Sequence, residues 1–220
     1  MKEGVINILH KKLIAEFIGS YFLVFAGTGA VVINDLTGAL SHIEIALTFG
    51  LVVMALIYAF GHISGAHFNP AVTLGFLMKG DINPKESILY IIVQIVGAIL
   101  ASLTLLIMFG NVAKLGATLP RNSWQQSFTL EGILTYGLMI VILGSAVHGK
   151  AIKSLAGVAI GGTVALEAMF GGPISGASMN PARSVGPALV SGNTQFLWIY
   201  IVATIMGAAA AVFTYKLIRE

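Results

Sequence analysis

The chain has 220 residues, of which 57% are hydrophobic and only 10% are charged. A soluble domain carries about 25% charged residues, so this composition excludes a water-soluble enzyme and a disordered chain. The net charge of +3 is dispersed between apolar runs, which argues against a nucleic-acid partner. The chain has no cysteine, which excludes disulfides and thiolate metal sites, and its histidines form no metal-ligand cluster.

Six apolar runs follow one another along the chain, and each has 16 to 22 residues. A helix needs about 20 apolar residues to cross about 30 Å of hydrocarbon, so the runs predict an all-α membrane protein with six transmembrane helices. The predicted spans are Leu13–Ile33, Ile43–Phe60, Ile88–Phe109, Leu130–Val147, Leu155–Phe170 and Phe196–Leu217.

The basic residues between the spans predict the orientation of the chain in the membrane. Only Lys114 and Arg121 fall in the connections on one side, and the cytoplasmic side is the one richer in lysine and arginine. Both termini are therefore expected in the cytoplasm, with no removable signal peptide. We expect Trp124, Trp198 and Tyr200 at the membrane interface. The other side carries Lys2, Lys11, Lys12, Lys79, Lys85, Lys150, Lys153, Lys216 and Arg219.

Two segments of the chain nearly repeat each other at a distance of 111 residues. Nine of fifteen positions are identical between residues 61–75 and 172–186, and both copies contain Ile-Ser-Gly-Ala followed two residues later by Asn-Pro-Ala. Each half would hold three spans, so the second half enters the membrane inverted. We expect a single domain over residues 1–220, with inverted repeats at about 1–112 and 113–220.

Each copy of the repeat also predicts the start of a short helix. Asn69 and Asn180 are good capping residues, and Pro70 and Pro181 suit the first helical position. Such a helix of about ten residues spans only about 15 Å, so two half-helices would enter from opposite faces and meet near the midplane.

Two helix N-termini at one point would repel cations, because each is equivalent to about half a positive charge. The amides of Asn69 and Asn180 could donate hydrogen bonds to a passing oxygen, and exposed backbone carbonyls could accept them. This pattern is typical of a narrow pore that passes small neutral molecules and rejects ions. The expected pore-lining carbonyls are those of Gly65, Ala66, His67, Gly176, Ala177 and Ser178.

The two motifs resemble those of the aquaporin or major intrinsic protein family. They are Gly-His-Ile-Ser-Gly-Ala-His-Phe-Asn-Pro-Ala-Val-Thr over 61–73 and Gly-Pro-Ile-Ser-Gly-Ala-Ser-Met-Asn-Pro-Ala-Arg-Ser-Val-Gly-Pro-Ala over 172–188. They are most similar to the nodulin-26-like branch and its bacterial relatives. The resemblance implies six helices with two re-entrant half-helices, a homotetramer with one pore per subunit, and passive transport without catalysis or cofactors.

The resemblance also implies a selectivity filter at four positions, which are Phe49, Ala168, Ala177 and Arg183. The small residues at two of these positions indicate an opening wide enough for glycerol, urea or neutral metalloid acids as well as water. Ser184 and Ala188 are instead similar to the water-selective branch, so a strictly water-selective channel is the alternative.

Three carboxylates lie within the predicted spans, where such groups are costly and usually have partners. Glu16 and Glu131 stand near the start of each half. The resemblance implies that they brace the re-entrant loops by accepting backbone hydrogen bonds, whereas a proton-coupled secondary transporter could use them for coupling. Glu167 has no counterpart in the first half, and its role is not predicted. The expected location is the plasma or inner membrane.

Overall fold

The computed structural model describes the backbone of residues 2–219 and the side chains of residues 8–219. Every regular element in this part of the chain is helical. A 3-10 turn at Val112–Gly116 joins the two halves of the chain, a π-helical turn at Leu143–Val147 ends the fifth helix, and a 3-10 turn at Lys153–Leu155 precedes the sixth. The α-helices are α1 (Lys2–Thr37), α2 (His42–Ser64), α3 (Pro70–Lys79), α4 (Pro84–Phe109), α5 (Trp124–Ile142), α6 (Ala156–Ser175), α7 (Pro181–Ser191) and α8 (Leu197–Ile218).

The prediction of six membrane-spanning helices is confirmed within the described residues, because six helical stretches are long and apolar enough to cross a bilayer. Most of them extend beyond the apolar runs, since polar caps continue the helices past the hydrocarbon. At the start of α2, for example, the Ser41 hydroxyl accepts from the backbone N–H of Glu44, and the Glu44 carboxylate accepts from that of Ser41.

The sixth helix shows the clearest departure from the predicted bounds. The apolar run ended at Phe170, but α6 continues to Ser175 with Pro173 inside it. Proline has no N–H group to donate to the carbonyl of Met169, four residues earlier. The ring Nε2 of His42 lies 2.8 Å from that carbonyl oxygen, so a histidine of α2 supplies the missing donor. The helix therefore passes through the proline without losing this hydrogen bond.

The helices of the two halves pack on each other in matching pairs. Helix α1 packs on α4 as α5 packs on α8, and α2 packs on α6 between the halves. The two short helices cross over, because α3 lies against α8 and α7 lies against α4. Each short helix is thus held by the last long helix of the other half.

The contact between α2 and α6 depends on two glycines that bring the backbones together. A Cβ atom on Gly50 would lie 2.5 Å from the carbonyl oxygen of Gly161, and one on Gly161 would lie 2.6 Å from that of Gly50. Small residues at such crossings are the usual means of close helix packing in membranes.

This close approach predicts that Gly161→Ala destabilises the protein, because the new methyl group meets backbone that cannot move aside. We expect a loss of about 1–3 kcal/mol in unfolding free energy. The neighbouring Gly162 has no atom within 4 Å of the same methyl position, so Gly162→Ala is the matched control. Thermal unfolding in detergent measures both; equal stability of the two variants would contradict the packing argument.

Candidate functional site

Two asparagines cap the short helices α3 and α7 and face each other. In both helices the asparagine side-chain oxygen accepts the backbone N–H groups of the second and third helical residues, at 2.9 to 3.4 Å. Pro70 and Pro181 follow at the first helical position, where the missing N–H is not needed. Both N-termini are therefore fixed by Asn69 and Asn180.

The same two asparagines join the halves of the chain. The Nδ2 of Asn69 donates to the carbonyl of Met179 at 2.7 Å, and the Nδ2 of Asn180 donates to that of Phe68 at 2.9 Å. An amide nitrogen carries two hydrogens, and these bonds use one of each pair. Each asparagine keeps one N–H for another acceptor.

The segment before each asparagine has a strained backbone. Gly65, Ala66 and Phe68 have φ angles of 87°, 52° and 48°, and the residues 111 positions later have 87°, 42° and 53°. The left-handed region costs a non-glycine residue about 1–3 kcal/mol, so other contacts must hold these segments in place. Among the described residues, none donates a hydrogen bond to the carbonyls of 65–67 or 176–178.

Glu16 holds the first strained segment from α1. Its Oε1 accepts from the Ser64 hydroxyl at 2.7 Å and from the backbone N–H of His67 at 2.9 Å. Its Oε2 accepts from the backbone N–H of Phe68 at 2.7 Å and from the Gln94 amide at 2.8 Å. The carboxylate is fully buried, and it gives the loop N–H groups acceptors that hydrocarbon cannot supply.

Glu131 does the same for the second segment from α5. It accepts from the Ser175 hydroxyl at 2.7 Å and from the backbone N–H groups of Ser178 and Met179 at 2.9 Å each. The two carboxylates therefore occupy equivalent places, although they stand at slightly different distances from their asparagines.

Further polar groups complete these sites, and sequence analysis missed most of them. The Tyr90 hydroxyl donates to the carbonyl of Ser64 at 2.9 Å, and that of Tyr200 donates to the carbonyl of Ser175 at 2.8 Å. Tyr200 is fully buried, so its expected place at the membrane interface is wrong. The signal that could have found Gln94 is an amide inside an otherwise apolar run.

A cavity of about 580 Å³ passes between the two short helices. Its lining includes both asparagines and five of the six residues whose carbonyls were expected to line a pore. The sixth, Gly176, lies outside the lining and packs on Thr118, whose Cγ2 would be 2.9 Å from an added Cβ. Those five residues are Gly65, Ala66, His67, Ala177 and Ser178.

The four predicted filter positions, Phe49, Ala168, Ala177 and Arg183, also lie together on this cavity. The Nη1 of Arg183 donates to the carbonyl of Gly116 at 2.8 Å, and its Cζ lies 4.9 Å from the centre of the Phe49 ring. Its Nε has no hydrogen-bond partner among the described residues. The arginine is 4% exposed, so its charge acts on the cavity from a nearly fixed position.

Glu167 does not line this cavity. It is 7% exposed and lies beside α5, where a Cβ atom on Gly137 would come within 2.7 Å of its Oε1. In the described part of the chain its Oε2 has no hydrogen-bond partner. The glycine therefore makes room for a carboxyl group that holds no loop.

Comparison with known proteins identifies relatives over almost the whole chain. The family model described as "Major intrinsic protein" matches residues 6–215. Aquaporin NIP1-1 of Zea mays is 50% identical over 211 residues, which cover 95% of this chain and 75% of the relative. Nodulin-26 of Glycine max is 44% identical over 211 residues, covering 95% and 78%.

The fold is also similar to a solved structure. The X-ray structure of the aquaglyceroporin from Plasmodium falciparum superposes with a TM-score of 0.82 at 26% sequence identity. The match covers 96% of each chain.

The hydrogen bonds of Glu131 predict that Glu131→Gln destabilises the protein. Both carboxylate oxygens accept loop donors, so the amide must place an N–H group against one of them, at a cost of about 1–3 kcal/mol. Glu167→Gln is the matched control, because no described donor faces Oε2 of that buried carboxyl group. Thermal unfolding in detergent should separate the two variants, and an equal loss of stability would contradict the assignment.

Proposed function

The chain belongs to the major intrinsic protein family and is a passive multi-pass membrane channel for water and small uncharged solutes, and we propose that it rejects ions and protons at the site described above. The observation that carries the proposal is the joint lining of one cavity by Asn69, Asn180 and Arg183. The family consists of channels, so we also propose that the chain catalyses no reaction and needs no cofactor.

We propose that the asparagines form the centre of the pore. Each has one amide hydrogen left, which can donate to a solute oxygen, and the unpaired carbonyls before each short helix can accept from the solute. A neutral hydroxyl compound or water finds donors and acceptors here. A cation meets two helix N-termini, each equivalent to about half a positive charge, and is repelled.

The filter supports a solute wider than water. Ala168 and Ala177 contribute only methyl groups to the wall, while Phe49 gives an apolar face opposite the donors of Arg183. Such a site suits the carbon skeleton and hydroxyl groups of glycerol, and by size also urea and neutral metalloid acids. The similarity to an aquaglyceroporin supports this solute class.

We further propose the organisation of the channel in its membrane. Glu16 and Glu131 act as braces of the two loops, and repeats of about 1–112 and 113–220 are inverted relative to each other. The basic connections support cytoplasmic termini in a plasma or inner membrane, and the family supports a homotetramer with one pore per subunit.

The position of Arg183 predicts that Arg183→Val raises cation or proton leak while neutral solutes still pass. At an effective dielectric constant of about 20, a unit charge 4 Å away costs about 4 kcal/mol, so a tenfold or larger increase is expected. Liposomes with a pH-sensitive dye and an imposed gradient measure it. Arg183→Lys keeps the charge and Arg121→Val removes an outlying one, so both should stay tight. An unchanged leak in assembled Arg183→Val would remove Arg183 from the barrier.

The two alanines predict that wild-type liposomes take up water, glycerol and urea without any ion gradient and with low activation energy. Ala168→His should lower glycerol permeability about tenfold or more, with a smaller effect on water, because the imidazole fills the opening. Stopped-flow light scattering measures both. A wild type that excludes glycerol and urea would favour the strictly water-selective alternative, and flux that needs an ion gradient would favour a secondary transporter.

A further inference from the structure

The connection between the two halves of the chain folds back into the molecule beside the filter. Within the turn at Val112–Gly116, Ala113, Lys114 and Leu115 have left-handed φ angles of 47°, 52° and 54°. Leu115 is completely buried. A surface connection has no need of such a costly backbone, so the position of this segment calls for a structural reason.

The segment contacts two consecutive residues of α7. The carbonyl of Gly116 accepts from Nη1 of Arg183 at 2.8 Å. Two residues later, the Thr118 hydroxyl lies 2.7 Å from that of Ser184. Thr118 is 4% exposed and Ser184 is fully buried. One short stretch thus holds both the filter arginine and the residue that follows it.

The buried hydroxyl groups form a chain whose direction is fixed by their hydrogens. Ser178 donates to the carbonyl of Asn180 at 2.9 Å, and its oxygen lies 2.6 Å from that of Ser184. Each hydroxyl has one hydrogen, so Ser184 must donate to Ser178, and Thr118 must donate to Ser184. The chain begins at Thr118 and ends at the backbone of the pore asparagine. It passes Ser178, which directly follows the filter residue Ala177.

The first half of the chain closes its loop with a different donor. The residues 111 positions before Ser178 and Ser184 are His67 and Thr73, whose Nδ1 and Oγ1 lie 3.1 Å apart. Gln94 of α4 donates to Thr73 at 3.0 Å. The position in α8 that corresponds to Gln94 is Ile205, which has no donor. Thr118 therefore supplies from the connecting segment what an amide of α4 supplies in the first half.

We infer that Thr118 is a positioning residue for the selectivity of this channel. Its hydroxyl anchors residues 116–118 to α7, and that anchor keeps the Gly116 carbonyl where it holds Arg183 against the pore wall. Without it, the guanidinium can turn into the opening and narrow it. The inference rests on the filter proposed above, because it explains how two of its members are held.

The test replaces the hydroxyl while keeping the shape. Thr118→Val should lower glycerol permeability about threefold or more relative to water permeability, whereas Thr118→Ser keeps the donor and should match wild type. Thr204→Val is the matched control, because that buried hydroxyl donates only to carbonyls of its own helix. Permeabilities are measured in liposomes with equal amounts of assembled protein.

A double-mutant cycle separates the hydroxyl chain from simple packing. Ser184→Ala should shift the permeability ratio in the same direction, and adding Thr118→Val to it should change the ratio little further, because both act through one chain. If Thr118→Val does not assemble, a wild-type ratio in Thr118→Ser together with a shifted ratio in Ser184→Ala supports the inference.

Two results would overturn the inference, and they differ from a failure of the filter. If Ala168→His changes the ratio while assembled Thr118→Val and Ser184→Ala do not, the filter stands and Thr118 has no positioning role. Fully additive effects of Thr118→Val and Ser184→Ala would also contradict it. If Ala168→His has no effect either, the proposed filter itself is wrong.

Discussion

The structure depends on giving acceptors to backbone N–H groups that lie where water is scarce. A loop that enters hydrocarbon leaves donors unpaired at a cost of several kcal/mol each, and left-handed residues such as Ala66 and Ala177 add strain. Glu16 and Glu131 meet this need with two oxygens each, aimed at consecutive N–H groups. Because the donors of each loop turn towards the carboxylate, its carbonyls are left free to face the cavity. The cost of burying two carboxylates is thereby linked to the polar lining of the pore.

The second constraint is that neither loop is complete alone. The amide of Asn69 is held by the carbonyl of Met179, and that of Asn180 by the carbonyl of Phe68. Each short helix also packs on the last helix of the other half. A shift of one half would therefore move the donor groups of both asparagines, so the two halves must fold as one unit around the cavity.

Periodic and repeated patterns make the helices of this chain predictable from its sequence. Apolar runs predict the six long helices, and an asparagine before a proline predicts each short helix start, because these signals depend on neighbouring residues. The sequence does not predict contacts between distant residues that only the packed chain brings together. The helix containing Pro173 continues because His42, on another helix, replaces the lost donor. Thr118 lies in a connection without any motif, and its role depends on Ser184, which is 66 residues away.

The near symmetry of the two halves also explains why the charge lies at one end of the cavity. The filter residues Phe49, Ala168 and Arg183 correspond, at the spacing of 111 residues, to Ile160, Ile57 and Val72. All three of these counterparts line the same cavity. They offer no donor, no acceptor and no charge, so at that end a solute is bound only by the carbonyls of the first loop. Selection by charge and hydrogen bonding is therefore concentrated around the arginine. The opposite half provides an apolar passage with one polar side, which a neutral solute can cross without being held tightly.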